Sequence, residues 1–215
     1  MTSKEKGRAL QIVSTSSTVV SSDVEPTIDS FHLIDEHLEE ILAKIAPGMK
    51  ISVVSVVGAF RTGKSFLLNF FLRYLRHGSP DDLSEVWMTK DGVALVEGNM
   101  NEGLVIEDDH SNISFAWRGG QDRQTTGIWM WSEPFVRTAS DGESVAVLLM
   151  DTQGMFDNDT SMALTAQIFG LSTFVSSYQI YNVDKRLQED NLQHLALFSE
   201  YGRLALRSEE VCVLF

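Results

Sequence analysis

A single cysteine, Cys212, stands in the 215 residues of this chain. One thiol cannot form an internal disulfide, and such scarcity fits a reducing compartment. As a small apolar side chain it needs no further role. Long hydrophobic runs are missing too: no window approaches the ~18 consecutive apolar residues that a spanning helix needs. The first twenty residues, MTSKEKGRALQIVSTSSTVV, have no apolar core of the kind a secretory leader carries. The chain by itself is therefore expected to be soluble and cytosolic, with no membrane segment. Positive charge is in deficit. The formal net charge of −13 argues against an electrostatic footprint on nucleic acid or anionic lipid. The five histidines, His32, His37, His77, His110 and His194, lack HxxH or HExxH spacing, so no zinc site is expected. No internal repeat is present.

What is there suits one domain with a real core: the length is ample and 43% of residues are hydrophobic. The organising stretch is Ile51 to Tyr74, ISVVSVVGAFRTGKSFLLNFFLRY. Within it, Gly58 to Ser65 fits the phosphate-loop pattern G-x-x-x-x-G-K-[ST], which chance would produce on the order of 0.01 times in a chain this long. Ile51, Val53, Val54, Val56 and Val57 read as a strand buried on both faces. Gly58 and Gly63 allow turns that a Cβ forbids, so successive N–H groups can converge on phosphate oxygens. Lys64 brings a compact positive charge to the β- and γ-phosphates, and the Ser65 hydroxyl is a hard oxygen ligand for Mg²⁺. The phosphates then meet the N-terminus of a helix starting near Lys64. The pattern points to a nucleoside triphosphate.

In chain order, residues 1–34 read as an N-terminal extension, partly disordered. It holds a short strand at Ala9 to Val13 and a loop over the Ser/Thr-rich tract Ser14 to Ser22. Leu38, Ile41, Leu42 and Ile45 recur at helical spacing between Asp35 and Ala46, and Pro47-Gly48 ends that helix. After the phosphate loop, Phe66 to Leu75 leaves almost no polar face, which predicts a helix buried all round. Residues 78–114 read as a long surface excursion. Ile128 to Val136 is expected to be one strand, joined through Ser140-Asp141-Gly142-Glu143 to a second, Ser144 to Asp151. A helix over Asn158 to Val175, a strand over Tyr178 to Val183 and a helix over Leu187 to Leu206 follow, the last with Leu192, Leu195, Ala196 and Leu204 inward. Residues 35–207 form the domain proper, and residues 208–215 a divergent tail.

Two further elements suit a phosphate site. Asp151-Thr-Gln-Gly154 matches D-x-x-G after an apolar strand, at the carboxyl end where open α/β sheets bind ligands. Asp151 can hold a metal-bound water, and the Gly154 N–H can meet the γ-phosphate. Thr125 in Thr125-Thr126-Gly127 is the best candidate for a second metal-ligating oxygen on a loop that reports the nucleotide state.

GAFRTGKSFLLNFFLRY, FAWRGGQDRQTTGIWMWSE, VAVLLMDTQGMFD and YNVDKRLQEDNLQHLALFSEYGRLAL together resemble the GTPase domain of the atlastins, dynamin-related relatives of the guanylate-binding proteins. The resemblance covers about Ile51 to Leu206, apart from the acidic stretch from about 78 to 110. It implies a P-loop α/β fold, a mostly parallel sheet with helices on both faces, and GTP hydrolysis with Mg²⁺. It also implies nucleotide-dependent homodimerisation and, for full-length relatives, fusion at the cytosolic face of the endoplasmic reticulum membrane. It makes Arg61 the catalytic arginine, and Ser65 and Thr125 metal ligands, with Asp151 acting on the metal through water. Gly58, Ala59, Phe60, Arg61, Thr62, Gly63, Lys64, Ser65, Phe66 and Gly154 become nucleotide-binding residues.

An arginine in the loop makes chemical sense, because charge gathers on the transferred oxygens and a guanidinium in the same chain can neutralise it. Met155 stands where many GTPases carry a glutamine after D-x-x-G. The family's base-reading Arg-Asp pair finds no match after EYGRLAL, and no N/TKxD motif occurs. The domain is therefore expected to be incomplete on its C-terminal side and poor in guanine specificity. Two other readings stand beside that of an enzyme: a non-catalytic nucleotide-binding or interaction module, and a fragment that does not fold alone.

Overall fold

The computed structural model describes residues 7–18, 28–77, 114–115, 126–155, 162–183, 186–189, 191–196 and 200. Its elements are β1 (Ala9–Thr18), β2 (Ile28–Leu33), α1 (Asp35–Leu42), β3 (Lys50–Gly58), α2 (Lys64–His77), β4 (Ile128–Trp131), β5 (Phe135–Thr138), β6 (Ser144–Thr152), α3 (Met162–Val175) and β7 (Tyr178–Asn182). The strands form one sheet in the order β2-β1-β4-β6-β3-β7, with β5 also paired to β6. The valine-rich β3 sits between β6 and β7 and runs parallel to both. Parallel neighbours need a crossover, and α3 carries the chain from β6 over β3 to β7.

The parallel character stops at this centre. Among the described residues, four of the six strand pairings are antiparallel, so the sheet is mixed rather than mostly parallel. β5 folds back onto β6 through the turn at residues 139–143, and β1 pairs antiparallel with β2 on one side and with β4 on the other.

Strand alternation sends core residues to both faces. Leu148 and Met150 of β6 join Val53, Ile41, Leu164 and Ile168 in the cluster under α1 and α3. Leu149, one residue out of phase, joins Val56, Leu68, Leu72 and Trp131 in the cluster under α2. Helices thus cover both faces, as the α/β reading requires.

Several local expectations are corrected by packing. Ser14 to Thr18 is strand, not loop, because it pairs residue for residue with His32 to Ile28. The Ser16 and Ser30 hydroxyls lie 2.7 Å apart across that pair. Residues 9–18 and 28–33 are therefore part of the sheet. The helix α1 ends at Leu42, where bonds from Lys44 N to Ile41 O and Ile45 N to Leu42 O tighten its last turn. Ile41 is buried, whereas Leu42, one residue round the helix, is exposed.

The single strand expected over Ile128 to Val136 is two. Pro134 has no N–H to donate, and the pairing with β6 slips by two residues, from Met130↔Met150 to Phe135↔Val147. α2 is buried along Lys64, Leu68, Asn69 and Leu72 only. Phe66 faces outward and packs edge-on against Phe70, with ring centroids 4.9 Å apart. Leu192 and Ala196 are exposed rather than inward and Leu195 is half-buried. Leu204, residues 78–113 and residues 201–215 lie outside the described residues. No described helix is long and apolar enough to cross a membrane.

Candidate nucleotide site

The phosphate loop leaves β3 at Gly58 and enters α2 at Lys64. Its two pattern glycines are needed for different reasons. A Cβ on Gly58 would stand 2.2 Å from the Asn182 carbonyl oxygen of β7, so the backbone leaves no room. A Cβ on Gly63 would meet nothing within 4 Å, and there the φ of +82° is what favours glycine. Side chains brace the loop from inside. Thr62 Oγ1 and Lys64 Nζ both donate to the Ala59 carbonyl, at 3.0 and 2.9 Å. From β7, Asn182 Nδ2 donates to the Thr62 carbonyl at 2.8 Å. Lys64 is 6% exposed, its ammonium turned into the loop. Arg61 is exposed and, at φ +64°, is the one non-glycine among the described residues with positive φ. Such a conformation costs of order 1–3 kcal/mol and persists only where the surroundings impose it.

Asp151 arrives from the end of β6, flanked by Val56 of β3 and Trp129 of β4. It is 1% exposed, and its Oδ2 accepts a bond from Ser65 Oγ at 2.5 Å. A hydroxyl and a carboxylate held together at the mouth of the phosphate loop are hard oxygen donors. The D-x-x-G loop is stitched to the phosphate loop by backbone: Phe60 N donates to Met155 O at 2.9 Å, and Met155 N to Gly58 O at 3.1 Å. Gly154 packs so closely there that a Cβ would lie 2.6 Å from Phe60 Cα. Met155 itself is buried with Val57 and Phe169. The sequence expectation is that Gly58, Ala59, Phe60, Arg61, Thr62, Gly63, Lys64, Ser65, Phe66, Asp151 and Gly154 share one site. The structure draws the loop and the D-x-x-G segment together, with the Phe66 side chain turned away on the outer face of α2. Thr125 lies outside the described residues.

Other residues at this site carried no sequence signal. Gln153 is 1% exposed and exchanges two bonds with Gly127: its backbone N–H donates to Gly127 O at 2.8 Å, and its side-chain Oε1 accepts from Gly127 N at 2.7 Å. Asn69 of α2 grips the backbone of Phe115 with both ends of its side-chain amide: Oδ1 accepts from Phe115 N at 2.8 Å, and Nδ2 donates to Phe115 O at 3.1 Å. A side-chain amide can copy a peptide, but nothing in a one-dimensional pattern says which amide does. A cleft beside the loop is lined by Ala59, Thr62, Tyr181, Asn182, Gln188 and Asn191, among others.

A central strand running into a glycine-bounded loop, a buried lysine and a helix N-terminus, with an aspartate on the neighbouring strand, defines a P-loop nucleoside-triphosphate-binding domain. Residues 29–211 match the guanylate-binding protein N-terminal domain, and the chain belongs to that family. Within it the chain is atlastin-like. It is 48% identical to human Atlastin-2 and 47% identical to mouse Atlastin-1, in each case over 178 residues and 82% of the chain. Drosophila melanogaster Atlastin is 43% identical over 189 residues, 87% of the chain. The matched segments are 27%, 28% and 31% of those three relatives, so the chain spans under a third of their length.

Proposed function

We propose that this chain is a GTP-binding and GTP-hydrolysing domain, with hydrolysis coupled to pairing of two such domains. In a full-length atlastin-like protein that cycle would act at the cytosolic face of the endoplasmic reticulum and drive membrane fusion. The observation that supports it best is the Ser65–Asp151 bond, which joins the phosphate loop to the D-x-x-G segment at 2.5 Å.

The donors fit Mg²⁺, which takes one or two protein oxygens and completes its shell with phosphate and water. Ser65 would hold it directly and Asp151 through water, with Thr125 as the second direct ligand. When bound, the ion neutralises charge on the β- and γ-phosphate oxygens. The protein does the rest by position. Loop N–H groups from Gly58 to Ser65 and the Lys64 ammonium bind phosphate, and the Gly154 N–H orients the γ-phosphate. Arg61, exposed within the loop, offers a guanidinium to the charge that develops as the terminal phosphoryl group transfers to water.

The direct test is binding and single-turnover hydrolysis of GTP by the purified chain, with ATP and Lys64→Ala as controls and circular dichroism on the same sample. Cooperative unfolding with GTP turnover supports the enzyme. Tight binding without turnover leaves a nucleotide-binding module, and a broad transition without binding leaves a fragment that does not fold alone.

A further inference from the structure

The β1 strand approaches the D-x-x-G loop through a short chain of polar contacts. Gln11 Nε2 donates to the Thr126 carbonyl at 3.0 Å. The same carbonyl accepts from the Trp129 indole N–H at 2.8 Å. The next residue, Gly127, exchanges its pair of bonds with Gln153, and β1 reaches Gln153 again through Thr15 Oγ1, 3.4 Å from its Oε1. Gln153 precedes Gly154, which packs on Phe60 of the phosphate loop. An unbroken path of named contacts thus runs from β1 to the loop that would hold the phosphates.

Three features show that Gln11 is aimed and not merely accommodated. The pairing of β1 with β4 slips between Gln11↔Trp129 and Val13↔Ile128, two steps against one. Such bulges bend a strand and redirect a side chain. The Gln11 backbone is held from the other side, where His37 Nδ1 of α1 donates to its carbonyl at 2.7 Å. β1 also presses directly on the turn: at Gly127, φ +71°, a Cβ would fall 1.9 Å from Val13 O. The Thr126 carbonyl is already satisfied by Trp129. One donor lets a peptide plane pivot about the bond, whereas two converging donors set its orientation, and with it the direction of the Gly127 N–H toward Gln153.

We infer that Gln11 is a positioning residue of the hydrolytic site, its Nε2–H holding the Thr126 carbonyl so that Gly127 and Gln153 keep the D-x-x-G loop in register with the phosphate loop. The inference deepens the GTPase reading and rests on it for its kinetic consequence. Misplacement of a catalytic loop by even ~1 Å can cost on the order of 100-fold in rate. Binding of the ground state tolerates more, because most of it comes from the phosphate loop itself.

The test compares Gln11→Glu, which keeps the shape but replaces the donor with an acceptor, and Gln11→Lys, which keeps a donor of similar reach. Single-turnover GTP hydrolysis, affinity for a non-hydrolysable GTP analogue with Mg²⁺, and hydrogen exchange of the Gly127 amide are measured on each. The expected result is a rate loss of ~10-fold or more for Gln11→Glu with affinity within about twofold, and a rate within about threefold of wild type for Gln11→Lys. Gly127 exchange should quicken in the glutamate variant alone. An unchanged rate in Gln11→Glu, a matching loss of affinity, or equal failure of the lysine variant overturns the inference. If the wild-type chain does not hydrolyse GTP, the enzyme reading fails separately, and exchange decides: faster exchange at Gly127 in Gln11→Glu supports positioning, and unchanged exchange overturns it. Should Gln11→Glu fail to fold, Gln11→Met, with similar length and no donor, replaces it under the same criteria.

Discussion

Ser65 Oγ on the first turn of α2 donates to Asp151 Oδ2 at the end of β6 over 2.5 Å, although the two residues are 86 apart in the chain. Asp151→Asn keeps the shape and removes the charge. We expect single-turnover hydrolysis to fall at least ~100-fold and the Mg²⁺ needed for half-maximal rate to rise ~10-fold, because the carboxylate proposed to orient metal-bound water is lost. Rate measured against Mg²⁺ concentration checks it; an unchanged Mg²⁺ midpoint removes Asp151 from the metal's surroundings.

Lys64 should act on binding. In the proposed function its ammonium meets phosphate in ground and transition states alike, so Lys64→Ala is expected to weaken GTP binding by ~100-fold or more, the loss of two or more charge-assisted hydrogen bonds. Titration of a fluorescent GTP analogue reads this directly, and a dissociation constant within about threefold of wild type would refute it.

Arg61 should show the opposite pattern. Arg61→Ala is expected to lower single-turnover hydrolysis at least ~100-fold while changing nucleotide affinity about threefold or less. Arg61→Lys should restore little, because an ammonium does not reproduce the planar fork. Arg61→Gly should be as slow as the alanine variant yet more stable, by on the order of 1 kcal/mol, since glycine adopts φ +64° without strain. A denaturant midpoint for Arg61→Gly at or below that of Arg61→Ala would show that the loop, not the residue, sets that φ without cost.

The two loop glycines should separate in stability. Gly58→Ala drives a Cβ to 2.2 Å from the Asn182 carbonyl and is expected to cost more than ~3 kcal/mol, with β7 displaced. Gly63→Ala meets no neighbour and should cost only ~1–2 kcal/mol of left-handed backbone energy. Equal chemical-denaturation midpoints for the two would contradict the difference in packing.

The sheet centre was legible because its signal is local. The β-branched run of β3 and the apolar run of β6 mark strands buried on both faces, and the phosphate loop is contiguous in sequence. The ends of the sheet were not legible. Ser14 to Thr18 has the composition of a loop and becomes strand only because residues 28–33 offer a complementary edge. In α2 the spacing marked every large apolar residue as core, although a helix against a flat sheet buries one stripe. Phe66 and Tyr74 fall outside it.

By itself the sequence determined that β3 leads into a glycine-bounded loop of phosphate-loop pattern and that lysine and serine close it, with an aspartate at the end of a second apolar strand. These depend on short-range geometry, where each residue's backbone freedom and charge are intrinsic. Tertiary structure alone decided which amides hold the site together. Gln11, Asn69 and Gln153 are ordinary polar residues in the chain, and each gains its role from backbone groups of one residue that folding brings within about 3 Å. A buried polar group gains specificity only when its partner is delivered, and delivery over 26 to 115 residues of chain is written in the packing of the whole sheet, not in any local pattern.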